Sequence, residues 1–185
     1  MRSVAKPTND HDATVVRGLA VPPTLTDLLE RGRWKHPGDT VLRKVIPWFG
    51  APLIFLSTVD QMRRESRSID RFADDDRSST LFRAKRASAS DGPVELPWLD
   101  TERAFLIAVN RIPGDDVAVA LDYRTDAAGP RVLASDFWSN PGQCAWRIVA
   151  PTFVSFADAL GLFDAEPVLD FPPGSPEGPI VGWQP

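Results

Sequence analysis

The chain has 185 residues, of which only one is cysteine, one tyrosine, two methionine and two histidine. One cysteine excludes an internal disulfide framework, and a chain of this length buries a core without such cross-links. A zinc site of the usual ligands needs more Cys and His than the chain offers. No apolar run approaches the roughly 18 residues of a membrane-spanning helix, and no apolar stretch follows the first basic residues as in a signal peptide. We therefore expect a cytoplasmic protein with a reduced thiol.

Basic residues are scarce in the second half of the chain. Residues 1–90 carry 16 basic and 11 acidic side chains, a net of +5, whereas residues 91–185 carry 5 and 14, a net of −9; together they give the total of −4. Such asymmetry can steer an oppositely charged partner but does not specify a fold. Two interpretations stay open: a domain with a mixed surface, or an acidic second half that attracts basic partners.

Proline is abundant at the C-terminal end, where it accounts for six of residues 166–185. Such a segment forms neither a helix nor a central strand. We predict a flexible N-terminal extension over residues 1–20, one domain over 21–165, and a Pro-rich tail over 166–185. The tail either wraps on the domain as an extended segment or forms a free linker. Residues 74–93 predict a solvated loop that divides the domain into two blocks.

The first block carries helix signals. Thr24, which follows two prolines, predicts the N-cap of a helix that Gly32 ends. Residues 53–56 predict a buried strand. Thr58 then predicts the N-cap of a second helix, over about residues 59–72.

Four strands joined by short turns are predicted in the second block. Residues 104–109 form a continuous apolar run, and residues 117–122 alternate with a period of two. Two further strands follow turn sequences, at residues 131–133 and 145–149. A last helix begins after Thr152. This order predicts an α+β fold with a central, mostly antiparallel sheet and helices packed on one face.

Motifs for catalysis are nearly absent from the sequence. There is no phosphate-binding or dinucleotide-binding glycine loop, no His-Glu-x-x-His zinc motif and no nucleophile elbow. Cys144 has no adjacent histidine, and the acidic run over residues 74–76 lacks a glycine-centred calcium loop. The basic run over residues 83–86 lacks the interleaved aromatics of a nucleic-acid site. We expect no catalytic residues, no cofactor, no metal and no nucleic-acid partner.

The acidic residues of the predicted meander are candidates for binding a protein. Asp115 and Asp116 lie in the turn between its first two strands, and Asp136 lies after the third. Trp138 stands beside a turn sequence, where an exposed aromatic side chain can anchor an interface. These four are the candidate partner-binding residues. Clustered carboxylates also leave open, as a lesser alternative, metal-assisted hydrolysis.

The order of motifs in the second block carries a family resemblance. An apolar strand and a Gly-Asp turn precede an alternating strand that ends in Leu121-Asp122, and a Gly-Pro-x-Val strand begins at Gly129. A strand with Trp146 then leads into Val-Ala-x-Thr-Phe-x-x-Phe over residues 149–156. This order resembles the SMI1/KNR4 family, also called the SUKH superfamily. The resemblance covers about residues 98–162, with a weaker match over 24–72.

The resemblance implies an α+β domain with a central sheet, helices on one side and no enzyme activity. Bacterial relatives are mostly regarded as immunity proteins that bind and neutralise toxins, and eukaryotic relatives act as interaction modules. It predicts a cytoplasmic, non-enzymatic protein-binding domain, with immunity against a cognate toxin as its leading function. Many such toxins are nucleases with basic surfaces, which an acidic second half would attract. A scaffold module with an endogenous partner is the alternative.

Overall fold

The computed structural model describes residues 14–50, 52–69, 99–111, 117–126, 129–136 and 145–163. Seven strands and four helices have bounds within these residues, and residues 67–69 add a further helical turn. The strands are β1 (Val15–Val16), β2 (Leu19–Ala20), β3 (Leu53–Phe55), β4 (Ala104–Asn110), β5 (Ala118–Asp122), β6 (Arg131–Asp136) and β7 (Ala145–Ala150). The helices are α1 (Pro23–Glu30), α2 (Asp39–Val45), α3 (Val59–Glu65) and α4 (Phe153–Ala159).

Strands β3 to β7 form one five-stranded sheet in sequence order, and every neighbouring pair is antiparallel. This confirms the predicted α+β class and the antiparallel meander. All of β5 is buried, including Ala118 and Ala120, so the period of two in its sequence does not mark a solvent-exposed face. Both faces of the central strands are therefore covered. The packing of helices on one face stays a prediction.

An aromatic cluster joins the loop after α1 to β3 and α4. The ring of Trp34 lies 4.7 Å from that of Phe55 and 5.4 Å from that of Phe153, measured between centroids. Phe156 lies 6.4 Å away on the same helix as Phe153. All four side chains are at most 7% exposed. Each contributes roughly 1.5–3 kcal/mol through burial, so the cluster ties the first block to the last helix.

Helices α3 and α4 begin as their sequences predict. The side chain of Thr58 accepts a hydrogen bond from the Gln61 N–H, and that of Thr152 accepts one from the Ser155 N–H. The prediction for α1 is wrong by two residues. Its N-cap is Pro22 and no side chain caps it, so Thr24 lies inside the helix. Pro23 occupies the first helical position, where its fixed φ fits the helix and its missing N–H costs nothing.

The C-terminal ends of α1 and α4 share one geometry. Gly32 and Gly161 have φ of +63° and +67°, a region that favours glycine. The N–H of Gly161 donates to Asp158 and that of Leu162 to Ala157, the two bonds of a Schellman motif. Both glycines therefore end their helices, as the sequence predicts.

A hairpin of β1 and β2 lies inside the range predicted as a flexible extension. The two turn residues, Arg17 and Gly18, have φ of +55° and +78°, which suits a two-residue hairpin turn. Val16 is fully buried, and Tyr123 donates a hydrogen bond from Oη to the carbonyl of Ala20. Residues 14–20 therefore belong to the packed domain. Residues 1–13, the loop over 74–93 and the tail over 166–185 lie outside the described residues.

Candidate functional site

The predicted partner-binding residues belong to two connections of the meander. β4 ends and β5 begins beside the start of β3, where Asn110 lies opposite Leu53. β6 ends at Asp136, opposite the first residue of β7. Because the strands are antiparallel, the connections from β4 to β5 and from β6 to β7 leave and re-enter the sheet at the same end. We call this the Asp136 end of the sheet.

Of the four candidates, only Asp136 is among the described residues. Asp115, Asp116 and Trp138 lie outside them. The described residues that flank their two connections all lie at the Asp136 end of the sheet. The predicted antiparallel meander implies this shared location, because its first and third connections lie at the same end of the sheet.

Asp136 is buried, with 2% of its surface exposed. Its Oδ2 atom lies 2.7 Å from Nε of Arg147 on β7, and the arginine side chain is 50% exposed. The pair therefore reaches from the interior of the sheet to its surface. In this position Asp136 holds Arg147 rather than presenting its own carboxylate to solvent.

Trp48 packs against the same arginine. The guanidinium carbon of Arg147 lies 5.4 Å from the centre of the Trp48 ring, within cation–π range. Trp48 is itself fixed, since its Nε1–H donates to the carbonyl of Ser135 at 3.1 Å. Ser135 and Asp136 are consecutive residues of β6. The end of this strand therefore positions the side chains of both Trp48 and Arg147. We call Trp48, Ser135, Asp136 and Arg147 the Arg147 cluster.

A second ion cluster is buried at the opposite end of the sheet. Asp122 lies 2.9 Å from Nε of Arg124 and 2.6 Å from Nε of Arg131. The three side chains are at most 10% exposed. Asp122 is the residue of the Leu-Asp motif, and a carboxylate enclosed by two guanidinium groups supports the fold. It is not free to act on a substrate.

The described residues do not carry the acidic excess of the second half. All 5 of its basic residues are described but only 6 of its 14 acidic ones, which gives 5 − 6 = −1 for this part rather than −9. Two of those six, Asp122 and Asp136, are buried beside arginines. The remaining eight acidic residues lie outside the described ranges. An acidic docking face formed by Asp115 and Asp116 therefore stays a prediction.

A shallow groove of about 90 Å³ lies beside α2. It is lined by Asp39, Leu42, Arg43, Phe49, Gly50 and Pro52. This volume is well below the roughly 300–1,000 Å³ of small-molecule sites. Within the described ranges, no three His, Cys, Asp or Glu side chains are grouped to hold a metal. No helix there is long and apolar enough to cross a membrane.

Neither Arg147 nor Trp48 is among the site residues that the sequence predicts. One signal pointed to the arginine: it is the only Lys or Arg between residues 132 and 185. Nothing local pointed to Trp48, because its partner Ser135 is 87 residues away. The motifs of the family resemblance lie within β4 to α4, mostly on buried residues. Scans against protein-family models, curated proteins and solved structures find no match for this chain.

Proposed function

We propose that this chain is a non-enzymatic, cytoplasmic protein-binding domain, and that its leading function is immunity against a cognate toxin. The Arg147 cluster is the observation that carries this proposal. A half-exposed arginine lies on a fixed tryptophan ring, and both are held by the end of β6. Arg and Trp are the residue types most enriched at interface hot spots. The cluster supports protein binding in general. The more specific proposal of immunity rests, in addition, on the family resemblance.

The environment of the meander carboxylates favours binding over hydrolysis. Asp122 and Asp136 each lie within 2.9 Å of an arginine nitrogen. A general acid or a metal ligand needs a carboxylate that can take up a proton or a cation. These two are already occupied by guanidinium groups, so a metal-assisted hydrolase is the less favoured alternative.

The partner is proposed to dock at the Asp136 end of the sheet. Asp115, Asp116 and Trp138 belong to connections that begin and end there, and Arg147 adds a described cation. A basic nuclease would be attracted by the aspartates. The alternative scaffold function would involve the same surface. It differs from immunity only in that the partner is an endogenous protein and not a toxin.

Co-expression with the neighbouring gene's product tests the function. The tagged chain is expected to co-purify with that product and to restore growth when it is toxic. Capture of a different, endogenous protein without any effect on toxicity would support the scaffold alternative. Absence of both co-purification and protection would contradict the immunity function.

The docking aspartates are tested separately, by reversing their charge. The variant Asp115→Lys/Asp116→Lys is expected to weaken binding and to reduce its dependence on salt. Asp74→Lys/Asp75→Lys changes the net charge equally in another segment and serves as the control. If both double variants weakened binding equally, the net charge of the protein would explain the effect, and Asp115 and Asp116 would have no specific role in docking.

A further inference from the structure

Arg147 differs from other exposed arginines in the group that holds it. Arg31, Arg63 and Arg64 pair with carboxylates close in sequence whose side chains are between 37% and 86% exposed. Such surface pairs are mobile and weak. Arg147 instead pairs with Asp136, whose side chain is 1% exposed. A buried carboxylate has little freedom to move, so this ion pair restricts Nε of Arg147 more than a surface pair would.

The rest of the Arg147 guanidinium group is available for a ligand. Asp136 engages Nε, and Trp48 packs on the guanidinium group. Within the part of the chain that the structure describes, neither Nη1 nor Nη2 of Arg147 makes a hydrogen bond. The side chain is half exposed. The N–H donors of a guanidinium group lie in one plane and match the two oxygens of a carboxylate. Because Arg147 is already ordered by Asp136 and Trp48, binding a carboxylate costs it little further conformational entropy.

The position of Arg147 suits a long, extended ligand. β7 is the last strand in the order of the five-stranded sheet, and no described strand pairs with its outer edge. The next residue on β7, Ile148, is 49% exposed on the other face. A segment that lies along this edge therefore contacts both a fixed cation and an exposed apolar side chain. Interface hot spots combine these two kinds of contact.

We propose that Arg147 anchors a carboxylate of an acidic segment of the protein partner, which lies along the outer edge of β7. The proposal rests on the proposed function and names the chemistry of the partner at this site. Nucleic acid fits the site less well. Arg147 is the only basic residue of β7, whereas a phosphate backbone is bound by several cations. Arg147 covers one face of the Trp48 ring, so that face is not open to stack on a base.

An oligoglutamate peptide is the probe, with an oligoglutamine peptide of equal length as its control. Nuclear magnetic resonance follows the indole N–H of Trp48 and the Nε–H of Arg147. The glutamate peptide is expected to shift both signals, and the glutamine peptide neither. Arg147→Gln should weaken glutamate binding about tenfold or more, the size of a lost charge-assisted pair. Arg103→Gln, an equal charge change at an exposed arginine before β4, should weaken it less than about twofold.

A second variant separates binding from folding. Arg147→Gln leaves Asp136 buried without its arginine, which destabilises the protein. Asp136→Asn/Arg147→Gln removes both charges and is expected to show the same loss of peptide binding. If this double variant bound the glutamate peptide as tightly as the native protein, the proposal would be wrong.

Three other results would overturn the proposal. Arg103→Gln could weaken binding of the glutamate peptide as much as Arg147→Gln, which would mean that net charge, and not the position of Arg147, determines the affinity. Arg147→Lys could bind as tightly as the native protein, which would exclude a two-oxygen contact. An oligothymidine strand could shift the same signals at lower concentration, which would make the surface a nucleic-acid site. If the partner co-purified equally well with Arg147→Gln, the anchor would be refuted while the proposed protein-binding function would stand.

Discussion

Arg131 lies with its Nε atom 2.6 Å from Oδ2 of Asp122, and the aspartate side chain is fully buried. Arg124 lies on the other carboxylate oxygen at 2.9 Å. Asp122 therefore contacts two guanidinium groups inside the sheet. Residues 122 and 131 are opposite each other in the pairing of β5 and β6. The cluster thus joins these two strands across the connection between them.

Removing the charge of Asp122 is expected to destabilise the protein strongly. Asp122→Asn removes the charge that both buried arginines contact, and breaking a buried ion pair typically costs about 3–5 kcal/mol. The free energy of unfolding in urea measures the loss. Asp60→Asn is the matched control, because Asp60 pairs with Arg63 while 86% exposed, and should cost less than about 1 kcal/mol. Similar losses in the two variants would show that the buried cluster contributes little to stability.

The stability of the protein is expected to fall at alkaline pH because of Tyr123. Burial raises the pKa of this phenol above its ordinary value of 10.0, and Oη donates to the carbonyl of Ala20. The folded state holds the proton more tightly than the unfolded state does. This contribution is therefore complete below pH 10 and is lost as the pH rises from 10 toward the higher folded pKa.

Two measurements check the prediction for Tyr123. It is the only tyrosine, so the ultraviolet absorbance of tyrosinate reports this residue alone and should not rise near pH 10 while the protein is folded. Tyr123→Phe should lose the alkaline decline in unfolding free energy that the native protein shows. Ionisation of the native protein at an ordinary pKa would contradict the prediction.

Arg17 is expected to stabilise the hairpin against the rest of the domain. Its guanidinium donates to the carbonyl of Thr101 at 2.7 Å and to that of Ser66 at 3.2 Å. Arg17→Asn keeps a residue that tolerates positive φ and removes both bonds, so it should cost about 2 kcal/mol of unfolding free energy. Arg31→Asn, at an arginine in an exposed pair, should cost less than about 1 kcal/mol. Hydrogen exchange of residues 14–20 should increase in Arg17→Asn and not in the control.

Local patterns predicted much of the fold. The strands of the meander and the ends of α1 and α4 depend on apolar runs, turn residues and glycines that act over a few residues. Helix α2 was not predicted, because Pro47 follows it closely and its seven residues include only one that is buried. The alternation in β5 was misleading, since its small residues face a covered surface.

The candidate site is harder to predict from the sequence than the fold is. The sequence marks Asp136 only as an acidic residue of the meander, whereas its environment includes Arg147 on the neighbouring strand. Trp48 reaches Ser135 from 87 residues away. Such contacts follow from strand order and register. A single sequence does not specify them locally.

Thr24 and Thr152 provide a direct test of where the helices begin. The sequence predicts both as N-caps, whereas only Thr152 forms a capping box, with Ser155; α1 is preceded by Pro22 and has no side-chain cap. Thr152→Ala removes the acceptor for the Ser155 N–H and should cost about 1 kcal/mol of unfolding free energy. Thr24→Ala changes a residue inside α1 and should cost less than about 0.5 kcal/mol, because alanine is the better helix former. A loss near 1 kcal/mol for Thr24→Ala in urea unfolding would mean that α1 begins at Thr24 in solution.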